Sequence, residues 1–204
     1  MERPSAIDRA TRDLDVDALV RKAQDGDENA FDKLVTTFNG LIYNLAFRMA
    51  GNAADAEELT QEVFVKLFRS IRKFRWKSKF STWLYAMALN TNRSGLRKLR
   101  RIAGREVVRL DQRQDHEIPW RETADPGDLP GDAMIRAEIR SQVEKAIATL
   151  GDVYRPVIVL RDLQGLSYEE IASVLGCSPG TVKSRLARAR MKVKDVLMQT
   201  GELP

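Results

Sequence analysis

Between Lys183 and Lys194 the chain places six cations in twelve residues, Lys183, Arg185, Arg188, Arg190, Lys192 and Lys194, with no acid among them. Cations at that density suit the phosphate oxygens of a nucleic-acid backbone. The apolar residues of the same stretch, Val182, Leu186, Ala189, Val193 and Val196, repeat at helical spacing and need a core to face. Ser178 can cap this helix, with Pro179 at its first position, where a missing N–H is harmless. A shorter helix precedes it. Ser167 and Glu170 form a capping-box pair, Tyr168, Ile171, Ala172 and Leu175 make its apolar face, and Gly176 stops it. Two helices, a tight glycine turn and a basic second helix make a helix-turn-helix pattern. In that reading the second helix enters the major groove, with base edges at its start and phosphates further on. The plainer reading is a helical hairpin with a solvated charged face. Both caps and the lack of compensating acid favour DNA.

A second constellation runs from Phe74 to Arg101. Phe74, Trp76, Phe80, Trp83 and Tyr85 are interleaved with Arg75, Lys77, Lys79, Arg93, Arg97, Lys98, Arg100 and Arg101. Cations beside aromatic platforms suit single-stranded nucleic acid, since every base has a face to stack. The competing use of each aromatic is core packing. Trp83 and Tyr85 point in different directions on a helix, so Trp83 is expected in the core and the loop from Arg75 to Phe80 is expected exposed.

A third stretch, Asp55 to Phe74, reads as an amphipathic helix buried through Leu59, Val63, Leu67, Phe68 and Ile71. Asp55, Glu57, Glu58 and Glu62 crowd its start, and Arg69, Arg72 and Lys73 its end. This polarity complements the helix dipole and needs no partner. The sharper alternative is an acidic docking face for a basic partner.

Composition narrows the class. The 204 residues carry a formal net charge of +5, 43% hydrophobic residues, one cysteine and one histidine. One cysteine excludes an internal disulfide and suits a reducing cytoplasm. No apolar run reaches membrane-spanning length and the N-terminus has no apolar signal core. His116 has no cysteine or second histidine nearby, so a metal site is not expected there. No strand–turn–helix nucleophile motif, metal cluster or phosphate-cradling glycine loop is found, so neither enzyme chemistry nor a cofactor is expected. Cys177 reads as a small buried hydrophobe.

These segments are placed by an all-α chain of two small domains. Residues 1–14 read as a mobile tail. Helices are expected over Val16 to Ala23, Glu28 to Met49, Asp55 to Phe74 and from near Ser81, making a first domain at 15–101. Residues 102–131 are broken by Gly104, Pro119, Pro126, Gly127, Pro130 and Gly131 and rich in acids, a flexible acidic linker too long for a loop within one domain. The second domain, 132–198, opens with a helix bearing Met134, Ile135, Ile139, Val143, Ile147 and Leu150. A helix from about Asp152 to Leu163 and the helix-turn-helix complete it, and 199–204 form a tail.

In this order the segments DAEELTQEVFVKLF, FRWKSKFSTWLYAMALN, an acidic linker and LGDVYRPVIVLRDLQGLSYEEIASVLGCSPGTVKSRLARAR resemble a bacterial RNA polymerase sigma factor of the extracytoplasmic-function (ECF) group, which keeps conserved regions two and four. The resemblance spans roughly Asp17 to Leu197. It implies a promoter-specificity subunit that binds core polymerase, reads minus-35-type and minus-10-type elements and promotes melting. Asp55, Glu58, Leu59, Gln61, Glu62 and Phe64 match the helix that docks on the β′ clamp helices, and the β subunit is a further expected contact. Arg75, Trp76, Lys77, Lys79, Phe80, Trp83, Asn90, Arg93, Arg97 and Lys98 fall in the segment that reads the proximal element and captures the non-template single strand. Thr181, Lys183, Ser184, Arg185, Ala187, Arg188 and Arg190 fall where the recognition helix meets the upstream duplex. An anti-sigma factor is implied as a further partner, without membrane insertion by this chain. Trp76 and Lys77 stand where relatives often carry a glycine and an acid, and Ala187 where some carry an aromatic. Two other readings remain at this stage. A stand-alone regulator would share the helix-turn-helix but needs an effector domain. A recombinase needs a nucleophile scaffold.

Overall fold

The computed structural model describes residues 5–103 and 130–199. Helices α1 (Ala6–Ala10), α2 (Val16–Gln24), α3 (Glu28–Ala50), α4 (Ala53–Ser70) and α5 (Phe80–Ala103) precede the linker, and α6 (Pro130–Ala148), α7 (Arg155–Ile158), α8 (Tyr168–Leu175) and α9 (Pro179–Gln199) follow it. A 3-10 turn, Ile71–Lys73, ends α4, and a π turn, Val159–Leu163, continues α7. No strand occurs among the described residues. The body of the expected linker, His116 and residues 200–204 lie outside the described residues.

Local chemistry sets the helix ends. Asp27 accepts from the Ala30 N–H to start α3, and Gly51, at φ +85°, ends it in a left-handed cap where other residues are strained. Asn52 then caps α4, accepting from the Asp55 N–H and donating to the Asp55 carboxylate at 2.8 Å. Ser167 and Glu170 close both hydrogen bonds of the expected capping box on α8. Gly176 takes φ +64° at the turn into α9.

The first domain packs α3 against α4 and α5. Leu34, Phe38, Ile42 and Leu45 of α3 meet Val63 and Leu67 of α4 and Leu84 and Leu89 of α5, all buried, while Leu59 of α4 packs separately with Ala46 and Ala56. Gly95 lets α5 approach α4 closely, since a Cβ there would lie 2.3 Å from Leu59 Cδ2. In the second domain Val157, Ile158, Val159 and Leu160 are consecutively buried, under Leu166, Ile171, Val182 and Leu186. Pro156 sits in the first turn of α7, where it removes no helical hydrogen bond.

The domains pack on each other. Tyr85 of α5 is fully buried and donates its hydroxyl to Gln164 Oε1 at 3.0 Å. Lys79 pairs with Glu170 of α8 at 2.9 Å, Arg48 with Glu144 at 3.3 Å, and Arg155 Nη1 donates to the Met49 carbonyl. Trp83 packs on the core against Phe74 and Phe80, as expected, and Tyr85 is fully buried as well, because α5 faces two cores. Three sequence expectations are corrected. The loop from Arg75 to Phe80 is not uniformly exposed: Phe80 is buried and Trp76 half-buried. Phe68, expected in the core, is 63% exposed and touches Phe31 edge-on at 5.2 Å. The expected N-terminal tail also contains α1, whose Ala6 is buried.

Ser167→Ala removes the α8 cap and is expected to cost about 0.5–2 kcal/mol, read by urea unfolding. Ser173→Ala, on the exposed side of the same helix, should leave the midpoint in place.

Candidate nucleic-acid interface

Helix α9 presents its basic face as the sequence spacing requires. Val182, Leu186, Ala189 and Val193 turn inward, while Lys183, Ser184, Ala187, Arg188 and Arg190 are exposed and Thr181 and Arg185 half-buried. Ser178 accepts from the Thr181 N–H at 3.2 Å, and Ser184 donates to the Thr181 carbonyl at 3.0 Å, ordering the first turn. Lys183 lies over the Tyr168 ring at 5.5 Å. The phenol thus steers this cation from α8 without neutralising it. Arg190 differs from its neighbours. Its Nε donates to Asp162 at 3.0 Å and a second guanidinium nitrogen bonds the other carboxylate oxygen, a fork that anchors α9 to the π turn. The sequence nominated Arg190 for DNA, and its charge is already engaged by a carboxylate.

The proximal constellation divides in two. Arg75, Lys77, Lys79, Asn90, Arg97 and Lys98 are exposed and Arg93 half-buried, so cations of the loop and of α5 reach the surface. The aromatics are largely used elsewhere. Phe80 meets Phe38 at 5.5 Å and Phe74 at 5.8 Å, both edge-on, and Trp83 lies 5.1 Å from Phe74. Phe80, nominated as a platform, is therefore a core residue in this arrangement. Trp76 is half-buried at φ +57°, a left-handed conformation uncommon for a bulky residue, with the Arg21 guanidinium stacked over its indole at 4.4 Å.

Helix α2 shapes this loop, which the sequence did not reveal. Gln24 Nε2 donates to the Ile71 and Phe74 carbonyls, both at 3.0 Å, and Arg21 covers Trp76. A glutamine near the end of a short helix carries no signal of partners about fifty residues away.

Lys79 and Glu170 shift each other. Burial pulls the Glu170 carboxyl upward, but hydrogen bonds from Lys79 and from the Ser167 N–H, with the Lys79 charge, outweigh it and hold the group below its ordinary range. The hydrogen bond to Glu170 raises Lys79. The Glu170 contribution is therefore present above the ordinary carboxylate range and lost as pH falls through its lowered value. At a lysine this exposed the pair is worth little by itself.

On α4, Glu58, Gln61 and Glu62 are exposed and Asp55 and Phe64 half-buried. Leu59, nominated with them, is 2% exposed and fills the space at Gly95. It positions α4 against α5 and offers no surface, a correction to the docking set. Exposed Phe68 and Val65 extend the same helix's surface instead.

Two family descriptions match. Sigma-70 region 2 covers residues 34–102 and Sigma-70, region 4, covers 140–193. The RNA polymerase sigma-H factor of Pseudomonas aeruginosa is 38% identical over 183 residues, 88% of this chain and 92% of that protein. The ECF RNA polymerase sigma factor SigW of Bacillus subtilis is 33% identical, over 87% of this chain and 94% of that protein. The chain belongs to the ECF sigma factors. The ECF sigma-E factor of Escherichia coli is 35% identical, over 87% of this chain and 91% of that protein. Among solved structures, CnrH in complex with the cytosolic domain of CnrY superposes with a TM-score of 0.64 at 26% identity, covering 91% of this chain and 99% of that one. RpoE of Bartonella quintana, in complex with the anti-sigma factor NepR, gives 0.64 at 25%, covering 82% and 96%. An ECF sigma factor is a promoter-specificity subunit of RNA polymerase and not an enzyme, so its surfaces bind and position rather than react. No helix among the described residues of this sigma factor is long and apolar enough to cross a membrane.

Leu59→Ala is expected to destabilise the fold by about 2–5 kcal/mol, the range for an emptied leucine site. At temperatures where the variant stays folded, its affinity for core polymerase should equal the wild-type value. A loss of core affinity in the folded variant would restore Leu59 to the docking face.

Proposed function

We propose that this sigma factor docks on core RNA polymerase through the acidic start of α4 and reads two promoter elements with two separate cationic surfaces. Asp55, Glu58, Gln61, Glu62 and Phe64 meet the β′ clamp helices, with Val65 and Phe68 as apolar anchors beside the charges. The cations Lys183, Arg185 and Arg188, with Thr181, Ser184 and Ala187, face the upstream duplex. Arg75, Lys77, Lys79, Asn90, Arg93, Arg97 and Lys98 hold the proximal element, with half-buried Trp76 as the loop aromatic beside them. A melted base costs a few kcal/mol to unstack, which an aromatic contact and backbone cations offset. The observation that carries this reading is the acid-free exposed face at the start of α9, in the segment matched as region 4.

The domains are assigned as 15–101 and 132–198, joined by the acidic linker at 102–131, which follows the polymerase channel and contacts the β subunit. Tethering raises the effective concentration of the second domain once the first has docked. An anti-sigma factor restrains the chain, as the complexes of CnrH and of the Bartonella protein with their partners suggest. The place of action is the cytoplasm, where polymerase and promoter are.

Lys183→Ala with Arg188→Ala should lower promoter-specific transcription by about 100-fold, as expected for two base or phosphate contacts of ~1–3 kcal/mol each. Core binding should be retained, and its loss in this variant would remove the contact assignment. Asp55→Arg with Glu58→Arg should weaken co-elution with core polymerase while circular dichroism stays helical. Unchanged co-elution would remove the docking face from α4.

A further inference from the structure

The N-terminal helix α1 precedes both matched regions and touches both domains. Ser5 accepts from the Asp8 N–H and the Asp8 carboxylate accepts from the Ser5 N–H, so the short helix is capped at its start. Ala6 is buried and donates its N–H to the Gln164 carbonyl at 3.0 Å. The side chain of that same Gln164 receives the Tyr85 hydroxyl. The next residue, Gly165, stands at φ +75°, and a Cβ on it would lie 2.9 Å from Ser5 Cα. The backbone of α1 thus seats on the backbone of the turn before α8, while α1 also packs on α3. Lys79 lies between Glu170, its partner at 2.9 Å, and the charge of Asp8, which also favours its charged form.

We propose that α1 is a clasp that holds the second domain against α5 in the free chain, and that its release limits association with core polymerase. Three elements meet there: α1 through Ala6, α5 through Tyr85, and the turn at Gln164 and Gly165. Closed, the clasp keeps Lys79, a proximal-element cation, on the helix-turn-helix and away from DNA. Open, it frees Lys79 and lets the domains separate to the spacing of two promoter elements. The inference rests on the proximal-element assignment of Lys79, whose failure would appear separately, as normal promoter opening by Lys79→Ala.

Ala6→Pro tests the clasp in the full chain. Proline is tolerated at the first helical position, and Ser5, at φ −63° and ψ 163°, has the extended conformation that precedes proline. The substitution removes the N–H offered to Gln164 and places a ring carbon there. Asp8→Lys, at an exposed position, opposes Lys79 and serves if the proline variant does not fold. A zero-length carbodiimide cross-link between Lys79 and Glu170, located by mass spectrometry, reports the closed form in the wild type. Both variants should cross-link less and should associate with core polymerase about two- to ten-fold faster, the factor set by one hydrogen bond. Absence of the cross-link in the wild type overturns the proposal, as does an association rate that is unchanged or slower in the folded variants.

Discussion

A phenol taken wholly out of water must keep a hydrogen bond, and the rest of the arrangement follows from how Tyr85 keeps its own. Its hydroxyl reaches Gln164, itself buried, and burial pushes the phenol well above its ordinary pKa, so it donates as a neutral group. Two buried polar side chains from different domains thus satisfy each other. Either one alone would be left with a lost partner in an apolar seam. This fixes the rotation of α5, which must point Leu84 and Leu89 into its own domain and Tyr85 out of it. It also fixes the turn before α8, whose backbone then accepts α1.

Most of the proposed binding residues lie outside that seam, with Lys79, paired with Glu170 across it, an exception. Exposed cations come from α9 and α5 and exposed acids from α4, three separate helices, suiting a subunit that touches polymerase, duplex and single strand. Each of these proposed surfaces is ordered from behind. Asp162 holds Arg190 and through it the rotation of α9. Gln24 and Arg21 hold the loop that carries Arg75, Trp76 and Lys77. Leu59 and Gly95 set how closely the acidic helix lies against the cationic one.

The elements legible in the sequence were those whose cause is local. The Ser167–Glu170 box, the glycine stop at 176, Pro179 and the stripes of α3 and α9 are short-range chemistry, and the structure places these helices where the spacing predicted them. The exposed cations of α9 were equally legible, since a helix with one apolar stripe must turn its charges outward. What escaped was set by contacts between distant segments. Phe80 has the composition of a stacking platform, but Phe38 and Phe74 claim it. Phe68 continued an apolar stripe but lies at its margin, edge-on to Phe31 and 63% exposed. Helix α1 is five residues long, too short for a stripe to show, and its one local signal is the Ser5–Asp8 cap. Tyr85 was ambiguous because periodicity assumes one core per helix.

Most buried apolar side chains of both domains join into one cluster, from Leu34 and Phe38 through Leu84 to Val157, Leu166 and Ile171, with Ala46, Ala56 and Leu59 apart from it. A shared interior couples the thermal fates of its halves. In the free chain the two domains lose their packing together, so one calorimetric transition covers both, and a core lesion in either lowers the tolerance of the other to heat. If the domains separate on a promoter as proposed, that cooperativity is lost there, and each half depends on the polymerase for the rigidity its sibling had supplied. Heat resistance of the isolated subunit and of the working complex are then separate traits, open to independent change by mutation.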